Sequence, residues 1–397
     1  MGSLISLTLG GLEIDWGKNN GFINHAKLFL RSDRKLLELY SYEGEQYEKF
    51  GFSRKLVDVL PRLELNGYSM DRVEEIYKSH QKDYPEYLPS IDVEFSDFAE
   101  IIKNITITER TKVEGDGDYD LGEYASKAVF SLPEFSEFAH LINVNNHNVM
   151  SFFENLDPYI QLRLLAENPQ NNHLDLNWHT QDVVEGGWTT EDELFGDWQD
   201  TREFLIITEG TSDTFIIKEA INYLRPDIQD FFKYIDMTEH YPFSGTGNLF
   251  NFYQGLARIG IKNNCLVIFD NDSEGVEKFD KIQGIPAPSS LHAMILPGLE
   301  EFTQFKTVGP DGPGSSDING KAVSIECFLD LTYKNCLSPT VRWTNYKKNQ
   351  DSYQGALESK EHYISQFKKG LGDPRNYNFE KLNVLIDHIY KQCISMG

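Results

Sequence analysis

The sequence predicts an α/β domain with a mainly parallel, Rossmann-like sheet at residues 201–335. A mixed, mainly helical α+β domain is predicted before it, at residues 1–200, and a basic helical tail after it, at residues 336–397. Two observations carry this prediction. Strand-length apolar runs alternate with helix-length segments in the middle of the chain, whereas the first half shows mostly the helical spacing of apolar residues.

The first domain opens with a predicted β-hairpin. Two short apolar runs, Leu4–Leu9 and Leu12–Trp16, are joined by Gly10 and Gly11, a residue pair that favours a tight turn. Helices are predicted further on, where apolar residues recur at three- and four-residue spacing. These helices cover Ser53–Leu60, Met70–Ser79, Phe95–Ile102 and Val149–Leu165.

Two acidic segments are predicted to be irregular. Glu114–Asp120 alternates carboxylates with glycines but lacks the spacing of a calcium-binding loop, so we interpret it as an exposed loop. The stretch between Gly186 and Thr201 is acidic with little apolar periodicity, which predicts a solvated connector between domains.

The alternation after the connector is regular. Strands are predicted at Phe204–Thr208, Phe232–Met237, Cys265–Phe269 and His292–Leu296. The helices between them are Asp213–Tyr223, Gly247–Ile259 and Gly275–Ile282, and the tail adds Asp351–Lys368 and Glu380–Ile394. Continuous apolar strands are buried on both faces, and their alternation with helices indicates βαβ units around a parallel sheet.

Composition places limits on function. The chain has 397 residues, enough for two or three domains, and a hydrophobic share of 40% that suits globular cores. No apolar run approaches the roughly 18 residues that a membrane span needs, so no membrane association is expected. The four cysteines include no C-x-x-C pair, which predicts neither a zinc cluster nor a disulfide framework and fits a reducing cytoplasm.

The formal net charge of −25 is unusual for a protein that binds nucleic acid, since such proteins normally present a basic surface. The charge is unevenly distributed. Residues 331–397 hold ten Lys or Arg and six Asp or Glu, whereas the rest of the chain is strongly acidic. Only the C-terminal tail is therefore expected to attract a phosphate backbone by itself.

Acidic residues follow two of the predicted strands. Glu209 ends the first strand, and Asp270-Asn271-Asp272 ends the third. In an open α/β sheet, chemistry is expected at the carboxyl ends of the strands. The Asp-x-Asp spacing directs both carboxylates the same way on extended backbone, where they repel unless a cation lies between them. Oxygen ligands with open positions suit Mg²⁺ or Mn²⁺.

The segments Phe204–Asp213 and Leu266–Gly275 resemble the two signatures of the Toprim domain, which occurs in topoisomerases, bacterial primases and OLD-type nucleases. The resemblance implies that Glu209 is a general acid or base that also contacts metal, and that Asp270 and Asp272 are metal ligands. By the same resemblance Glu326 is a further metal-binding acid, the alternative being an exposed helix carboxylate. It also implies that Lys360 is a catalytic cation, the alternative being a lysine on a solvated helix face.

Four more residues are predicted to support this site. Asp213 and Glu274 are expected to help the acidic cluster, the alternative being carboxylates that stabilise helix N-termini. Gly210 directly follows Glu209. Gly245 lies in a turn that could form a phosphate-binding nest, and a plain tight turn is the alternative.

The N-terminal half carries a second resemblance. Met1-Gly2-Ser3 and Leu12–Asn19 resemble the opening of domains described as HEPN/Toprim-associated in bacterial proteins. HEPN ribonucleases use an Arg and a His separated by four to six residues. The nearest arrangements here, Arg72 to His80 and Arg163 to His173, have longer gaps, so a binding or assembly module is the preferred interpretation.

Elimination narrows the reaction. The chain has little room for the strand-gating apparatus of a topoisomerase, and its scattered cysteines cannot form the zinc module of a bacterial primase. OLD-type nucleases usually carry an ATPase in the same chain, but no G-x-x-x-x-G-K-[ST] motif occurs here.

The sequence thus predicts a cytoplasmic, Mg²⁺- or Mn²⁺-dependent endonuclease acting on DNA or RNA, as an effector of a bacterial anti-phage defence or toxin system. A separate ATPase or sensor protein and a homo-oligomer are the partners that this prediction leaves open. Two alternative functions also stay open. One is a non-catalytic, nucleic-acid-binding or regulatory Toprim module, and the other is a HEPN-type ribonuclease in the N-terminal half.

Overall fold

The computed structural model describes residues 3–19, 21–42, 44–83, 93–107, 152–196, 202–235, 245–310, 312–334, 337–348 and 352–396. The chain divides into two compact units, Met1–Thr201 and Arg202–Gly397. In the described part of the chain no helix combines the length and the apolar character that crossing a membrane requires.

The first unit contains an antiparallel five-stranded sheet in the order β2-β1-β5-β4-β3. Its strands are β1 Leu4–Leu9, β2 Leu12–Lys18, β3 Arg34–Tyr42, β4 Glu45–Lys55 and β5 Asp175–His179. The predicted hairpin is confirmed: Gly10 and Gly11 have φ values of 58° and 90°, and positive φ at both residues is what a type I′ turn requires. The central strand β5 is far in sequence from the other four strands. The sheet is therefore complete only when the beginning and the end of the unit have come together.

Helices of this unit share a hydrophobic core with the sheet. They are α1 Leu56–Leu65, α2 Met70–Asp83, α3 Phe95–Lys103, α4 Pro158–Leu165, α5 Gln181–Glu185 and α6 Glu191–Gly196. The fully buried Trp178 of β5 lies near the centre of the core, with its ring stacked 6.0 Å from that of Phe29. Alternate residues of β1, such as Leu7 and Leu9, are buried with it.

The first unit holds more strand than the sequence predicted. The helix predicted from Ser53 begins only at Leu56, because residues 53–55 complete β4. The outer half of β4 is largely exposed and polar, so it shows no alternation that could reveal a strand.

The predicted helix Val149–Leu165 is also wrong as a single element. The chain leaves the helix at residues 156–157, and a new helix begins at Pro158. Proline suits the first turn of a helix but not its interior, because it has no N–H to donate. Asp157 caps the new helix by accepting a hydrogen bond from the Tyr159 N–H at 2.8 Å.

The acidic connector is partly structured. Residues 191–196 form α6, and its Leu194 and Phe195 are buried in the core, where the Phe195 ring lies 4.7 Å from that of Phe52. The prediction of a solvated connector is therefore wrong for this helix. A pair of adjacent apolar residues in an acidic segment was too short to show periodicity. The acidic run Glu114–Asp120 lies outside the described residues.

The second unit is built on a parallel four-stranded sheet in the order β10-β8-β6-β7. Its strands are β6 Phe204–Ile207, β7 Phe232–Tyr234, β8 Asn264–Phe269 and β10 Leu291–Ile295. The intervening helices are α7 Thr211–Leu224, α8 Thr246–Ile259 and α9 Ser273–Ile282. The predicted alternation and the parallel sheet are confirmed, with most element ends within two residues of the prediction. Residues 236–237 of the second predicted strand lie outside the described residues.

A second sheet in this unit was not predicted. It has the order β12-β11-β14-β15, formed by β11 Phe305–Gly309, β12 Gly312–Ser316, β14 Val341–Lys347 and β15 Ser352–Leu357. Two very short strands, β9 Asn271–Asp272 and β13 Ala322–Val323, pair separately. Since β11 pairs with β14, this sheet joins residues on both sides of the predicted 335/336 boundary.

The predicted helix Asp351–Lys368 is therefore wrong in its first part. Residues 352–357 form β15, and the helix α10 spans Lys360–Leu371. A Cβ on Gly355 would lie 2.7 Å from the Trp343 ring, so this strand approaches its neighbour at a glycine. The final predicted helix, Glu380–Ile394, is confirmed as α11.

Candidate functional site

The parallel sheet brings the predicted acids to one edge. Strands β6 and β8 are neighbours in register, with Ile207 beside Val267, so their carboxyl ends lie side by side. Glu209 stands two residues beyond β6, and Asp270 directly follows β8. The structure thus brings together two acids that are 61 residues apart in sequence.

Glu209 is held by both neighbouring segments. Its Oε2 accepts a hydrogen bond from the Thr246 hydroxyl at 2.7 Å, and its Oε1 accepts one from the Asp270 N–H at 3.2 Å. Its carbonyl oxygen accepts the Gly245 N–H at 3.1 Å. The carboxylate is therefore fixed in position and oriented before any substrate binds.

The surroundings of Glu209 raise its pKa. Burial raises its pKa above the ordinary value, and the hydrogen bonds from Thr246 and Asp270 partly oppose this effect. The negative charges of Asp272 and Glu274 raise the pKa further.

Asp270 and Asp213 extend the same cluster. Burial, followed by the charges of Asp213 and Glu209, raises the pKa of Asp270 well above its usual range. Burial, followed by Glu326 and Glu209, raises the pKa of Asp213 to about 7. Lys360 lowers both values. These carboxyls interact closely enough that a positive charge among them is stabilising.

Asp272 has a different environment, because it caps the helix α9. Its Oδ1 accepts the N–H groups of Glu274 and Gly275 at 3.0 and 2.8 Å. Its Oδ2 accepts a hydrogen bond from the Gln354 side chain, contributed by β15. Gly275 has a steric role as well: a Cβ there would lie 1.9 Å from the Asp270 carbonyl oxygen, so no other residue fits.

Lys360 and Glu326 form an ion pair at 3.0 Å beside these acids. Glu326 is buried in a short 3-10 helix rather than exposed, and its Oε2 also accepts the Ser324 hydroxyl at 2.6 Å. Burial lowers the pKa of Lys360, but Glu326 and Asp270 outweigh that effect and raise it overall. Lys360 follows Ser359, whose φ of 60° turns the chain from β15 into α10.

The remaining predicted residues have simpler surroundings. Gly245 has φ 85° at the start of α8, where a side chain would be strained. Gly210 starts α7 with extended backbone, and the nearest atoms to a Cβ there are at 3.6 Å or more, so sterics do not require glycine. Glu274 is exposed in the first turn of α9.

Three contacting residues were missed by the sequence analysis. Thr246, Ser324 and Gln354 each donate to one of the acids. Thr246 lay in the turn singled out at Gly245, whereas Gln354 lay in a segment predicted to be helical. The Oε1 of Gln354 is buried and has no hydrogen-bond partner within the described part of the chain, so an acceptor beside Asp272 is left unused.

The chemistry of this site suits a hard divalent cation. The acids offer only oxygen donors, which suit Mg²⁺. Burial and the neighbouring carboxylates raise the pKa values of Glu209 and Asp270, and a bound cation would lower these values again. Within the described ranges, however, no three His, Cys, Asp or Glu side chains already form a group that could hold a metal ion. The carboxylate oxygens of Glu209 and Asp272 instead accept hydrogen bonds from other groups of the protein. The three described cysteines, Cys265, Cys327 and Cys393, are buried and free.

Two concave regions of the surface do not include the acids. A cavity of about 230 Å³ in the first unit is lined by β1 residues together with His179, Lys49 and Asp182. Another, of about 660 Å³ in the second unit, is lined by residues 299–304 and by Glu380, Lys381 and Val384. Neither includes Glu209 or Asp270, which lie at the carboxyl ends of β6 and β8.

Comparison with known proteins identifies the first half of the chain. The model of the family HEPN/Toprim N-terminal domain 1 matches residues 1–202, which is just over half of the 397 residues. No curated protein matches the chain. No solved structure matches it either. The extent of the family match shows that the chain belongs to the HEPN/Toprim N-terminal domain 1 family.

Proposed function

We propose that the chain is a Mg²⁺- or Mn²⁺-dependent nuclease whose Toprim-like second unit hydrolyses phosphodiesters of DNA or RNA. The observation that carries this proposal is the clustering of Glu209 and Asp270, at the ends of adjacent parallel strands, with Asp213 in the first turn of α7 and the ammonium of Lys360. Family membership supports a nuclease-related function. The resemblance of the two strand-end motifs to Toprim, and to OLD-type nucleases among its members, supports the metal-dependent reaction.

Each residue of the cluster has a role in this proposal. Asp270 and Asp272, with Glu209, would hold the metal, which would supply Lewis acidity at the phosphate and a nucleophilic water. Glu209 lies at the end of β6 beside Asp270, and we assign to it the exchange of a proton with the reacting groups. Lys360 remains charged, because Glu326 and Asp270 raise its pKa, and it stabilises negative charge that develops on the phosphate.

Glu326 has a different role here from the predicted one. Its Oε2 forms an ion pair with Lys360 at 3.0 Å, so we assign it to holding the lysine beside the acids, and we assign the metal to the acids that follow β6 and β8. This arrangement also explains why a buried carboxylate is tolerated at this position, since a buried charge needs a partner.

The test combines substrates, metals and one conservative variant. Purified protein is incubated with plasmid, single-stranded DNA, total RNA and tRNA in Mg²⁺, Mn²⁺ or EDTA. We expect cleavage only with metal, and none by Asp270→Asn/Asp272→Asn, in which Asn still caps α9. Mg²⁺ should also raise the melting temperature of the wild type but not of this variant. Equal thermal shifts for the two proteins, or cleavage in EDTA, would falsify the proposal.

The same assay separates the two alternatives. A HEPN-type ribonuclease would depend on His80 or His173 and not on Glu209. Arg163, the arginine nearest His173 in the predicted motif, is engaged in ion pairs with Glu64 at 3.1 Å and Glu167 at 2.6 Å. We therefore expect His80→Ala and His173→Ala to retain cleavage. A protein that binds nucleic acid but cleaves none under any metal would support the non-catalytic alternative.

We propose further that this nuclease is a cytoplasmic effector of a bacterial anti-phage defence or toxin system. The support is the family and the resemblance to OLD-type nucleases. Since the sequence has no phosphate-binding P-loop, an ATPase or sensor would be a separate chain. Expression of the wild type should reduce phage yield or host growth, whereas Glu209→Gln should do neither.

A further inference from the structure

The hairpin β14–β15 carries three aromatic rings close together, which we call the aromatic platform: Trp343, Tyr346 and Tyr353. Tyr346 and Tyr353 are cross-strand partners, and their ring centroids are 5.2 Å apart at 62°. The Trp343 ring lies 6.4 Å from that of Tyr353. Tyr346 and Tyr353 are 49% and 40% exposed, so two large rings of this cluster face solvent.

The charge beside the platform is positive. Lys347 is the last residue of β14, and Lys348 follows it. Lys347 lies close enough to Glu277 of α9 to help lower the pKa of that carboxyl. In a chain of net charge −25, a lysine pair beside exposed aromatic rings marks a place where a phosphate backbone meets attraction rather than repulsion.

Two hydrogen bonds join the platform to the candidate site. Gln354, next to Tyr353 in β15, donates its side-chain hydrogen bond to Asp272. The Ser273 hydroxyl, at the start of α9, donates to the Tyr353 carbonyl oxygen at 3.4 Å. The strand that carries Tyr353 is therefore held against the segment that carries Asp272.

We propose that the aromatic platform binds unpaired nucleobases of DNA or RNA by stacking them on Tyr346 and Tyr353. This inference rests on the proposed function and names its substrate class as single-stranded nucleic acid. Exposed aromatic rings with basic residues nearby are an arrangement by which proteins hold single strands, since every base has a face that stacks. Bases inside a duplex have no free face, so the platform selects against double strands.

The experiment compares stacking-competent and stacking-deficient variants. Fluorescence anisotropy in EDTA measures the binding of the full chain to labelled single-stranded DNA, single-stranded RNA and a matching duplex. We expect Tyr346→Ala and Tyr353→Ala each to weaken single-strand binding by about tenfold, and Phe at both positions to leave it within about twofold. Tyr47→Ala is the matched control, because Tyr47 is also a strand tyrosine with 40% exposure but lies in the first unit.

Folding and function are controlled separately. Leu at both positions keeps apolar bulk in the hairpin without an aromatic face, so it should lose binding as Ala does while the melting temperature stays near that of the Phe variant. Binding that is equal in the Phe and Leu variants, or equal for single strands and duplex, overturns the inference. Metal-dependent cleavage of duplex with no effect of the platform variants would leave the proposed function standing and reject the platform alone. If the full chain binds one of the two single strands more tightly, that difference in affinity indicates whether DNA or RNA is the substrate.

Discussion

At the scale of single residues, Glu209 offers the sharpest test of chemistry. Glu209→Gln keeps the size of the side chain and an acceptor for the Asp270 N–H, but it removes the charge and the capacity to take a proton. We expect cleavage to fall by about 10²–10⁴, the usual contribution of a positioned acid–base group. Nucleic-acid affinity should stay constant or rise, because a negative charge near phosphate is lost.

Kinetics and binding are both needed to interpret this variant. Initial cleavage rates in saturating Mg²⁺ give the catalytic effect of the substitution, and fluorescence anisotropy in EDTA gives its effect on nucleic-acid affinity. An unchanged melting temperature would show that the hydrogen bond from Thr246 survives in some form. Cleavage at the wild-type rate would mean that the reaction takes place elsewhere in the chain.

Asp213 makes stability depend on pH. Its pKa rises from 3.8 to about 7 on folding, so the folded protein binds more protons than the unfolded chain between these values. Stability is therefore lost as the pH rises through this window. Asp213→Asn should remove that loss, so the metal-free variant gains stability relative to wild type between pH 5 and pH 8. Each kcal/mol corresponds to about 2–4 °C in a unit of this size.

Thermal denaturation in EDTA at pH 5, 6.5 and 8 measures this effect. Asp280→Asn is the control, because Asp280 is an exposed carboxylate on α9. Added Mg²⁺ should restore wild-type stability most at pH 8, since metal ligands must be deprotonated. If the melting temperatures of wild type and Asp213→Asn changed equally over the three pH values, the raised pKa of Asp213 would be contradicted.

At the scale of elements, local patterns explain which parts were predictable. The strand β8 is buried and apolar from Cys265 to Phe269, and its flanking helices end at a glycine or begin near an N-cap, so sequence alone located them. The polar first half of β4 and the edge strand β15 lack that signal, because neither is a continuous apolar run. Glu209 and Asp270 could be predicted together since parallel strands end at one edge, whereas the contact of Gln354 depends on a pairing that no local pattern encodes.

The hairpin β14–β15 therefore has a predicted effect on the metal site. Gln354→Ala removes the hydrogen bond to Asp272 and the unused buried oxygen beside it. Partners of this kind orient a ligand, and their loss typically weakens metal affinity by about 10- to 100-fold. The measurement is a Mg²⁺ titration followed by melting temperature and by cleavage rate.

The matched control comes from the same hairpin. Asn345 is the cross-strand neighbour of Gln354 and is exposed, so Asn345→Ala perturbs the strand pair without touching Asp272. We expect it to leave the Mg²⁺ dependence unchanged, and excess Mg²⁺ to rescue cleavage by Gln354→Ala. Equal Mg²⁺ midpoints for wild type and Gln354→Ala would show that β15 does not position Asp272.

At the scale of the whole molecule, positive charge is concentrated in the C-terminal part of the chain, in the same unit as the candidate site. The first unit, which carries the family match, lies in the acidic part of the chain. Residues 331–397 are net positive and belong to the second compact unit together with the candidate site. Binding of a polyanion is therefore expected to depend on a small number of cations close to the acids rather than on the overall charge.

Two lysine pairs are the best candidates for that contribution. Lys347 and Lys348 lie at the end of β14, and Lys368 and Lys369 lie in the last turn of α10. Replacing all four with Gln should weaken nucleic-acid binding and reduce its salt dependence by about 0.7 to 0.9 logarithmic units per lost phosphate contact. Binding constants from 50 to 200 mM salt give that slope.

The two pairs are predicted to differ, which makes the test more specific than a general loss of charge. The Lys368 ammonium lies 4.8 Å from the centre of the Phe215 ring, so part of its role is packing within the unit, whereas Lys347 and Lys348 adjoin the aromatic platform. We expect Lys347→Gln/Lys348→Gln to flatten the salt slope more than Lys368→Gln/Lys369→Gln. Gln at the exposed Lys35 and Lys82 of the first unit should leave the slope unchanged. If the replacements in the first unit flatten it equally, the binding surface is not confined to the second unit, and overall charge rather than local placement governs association.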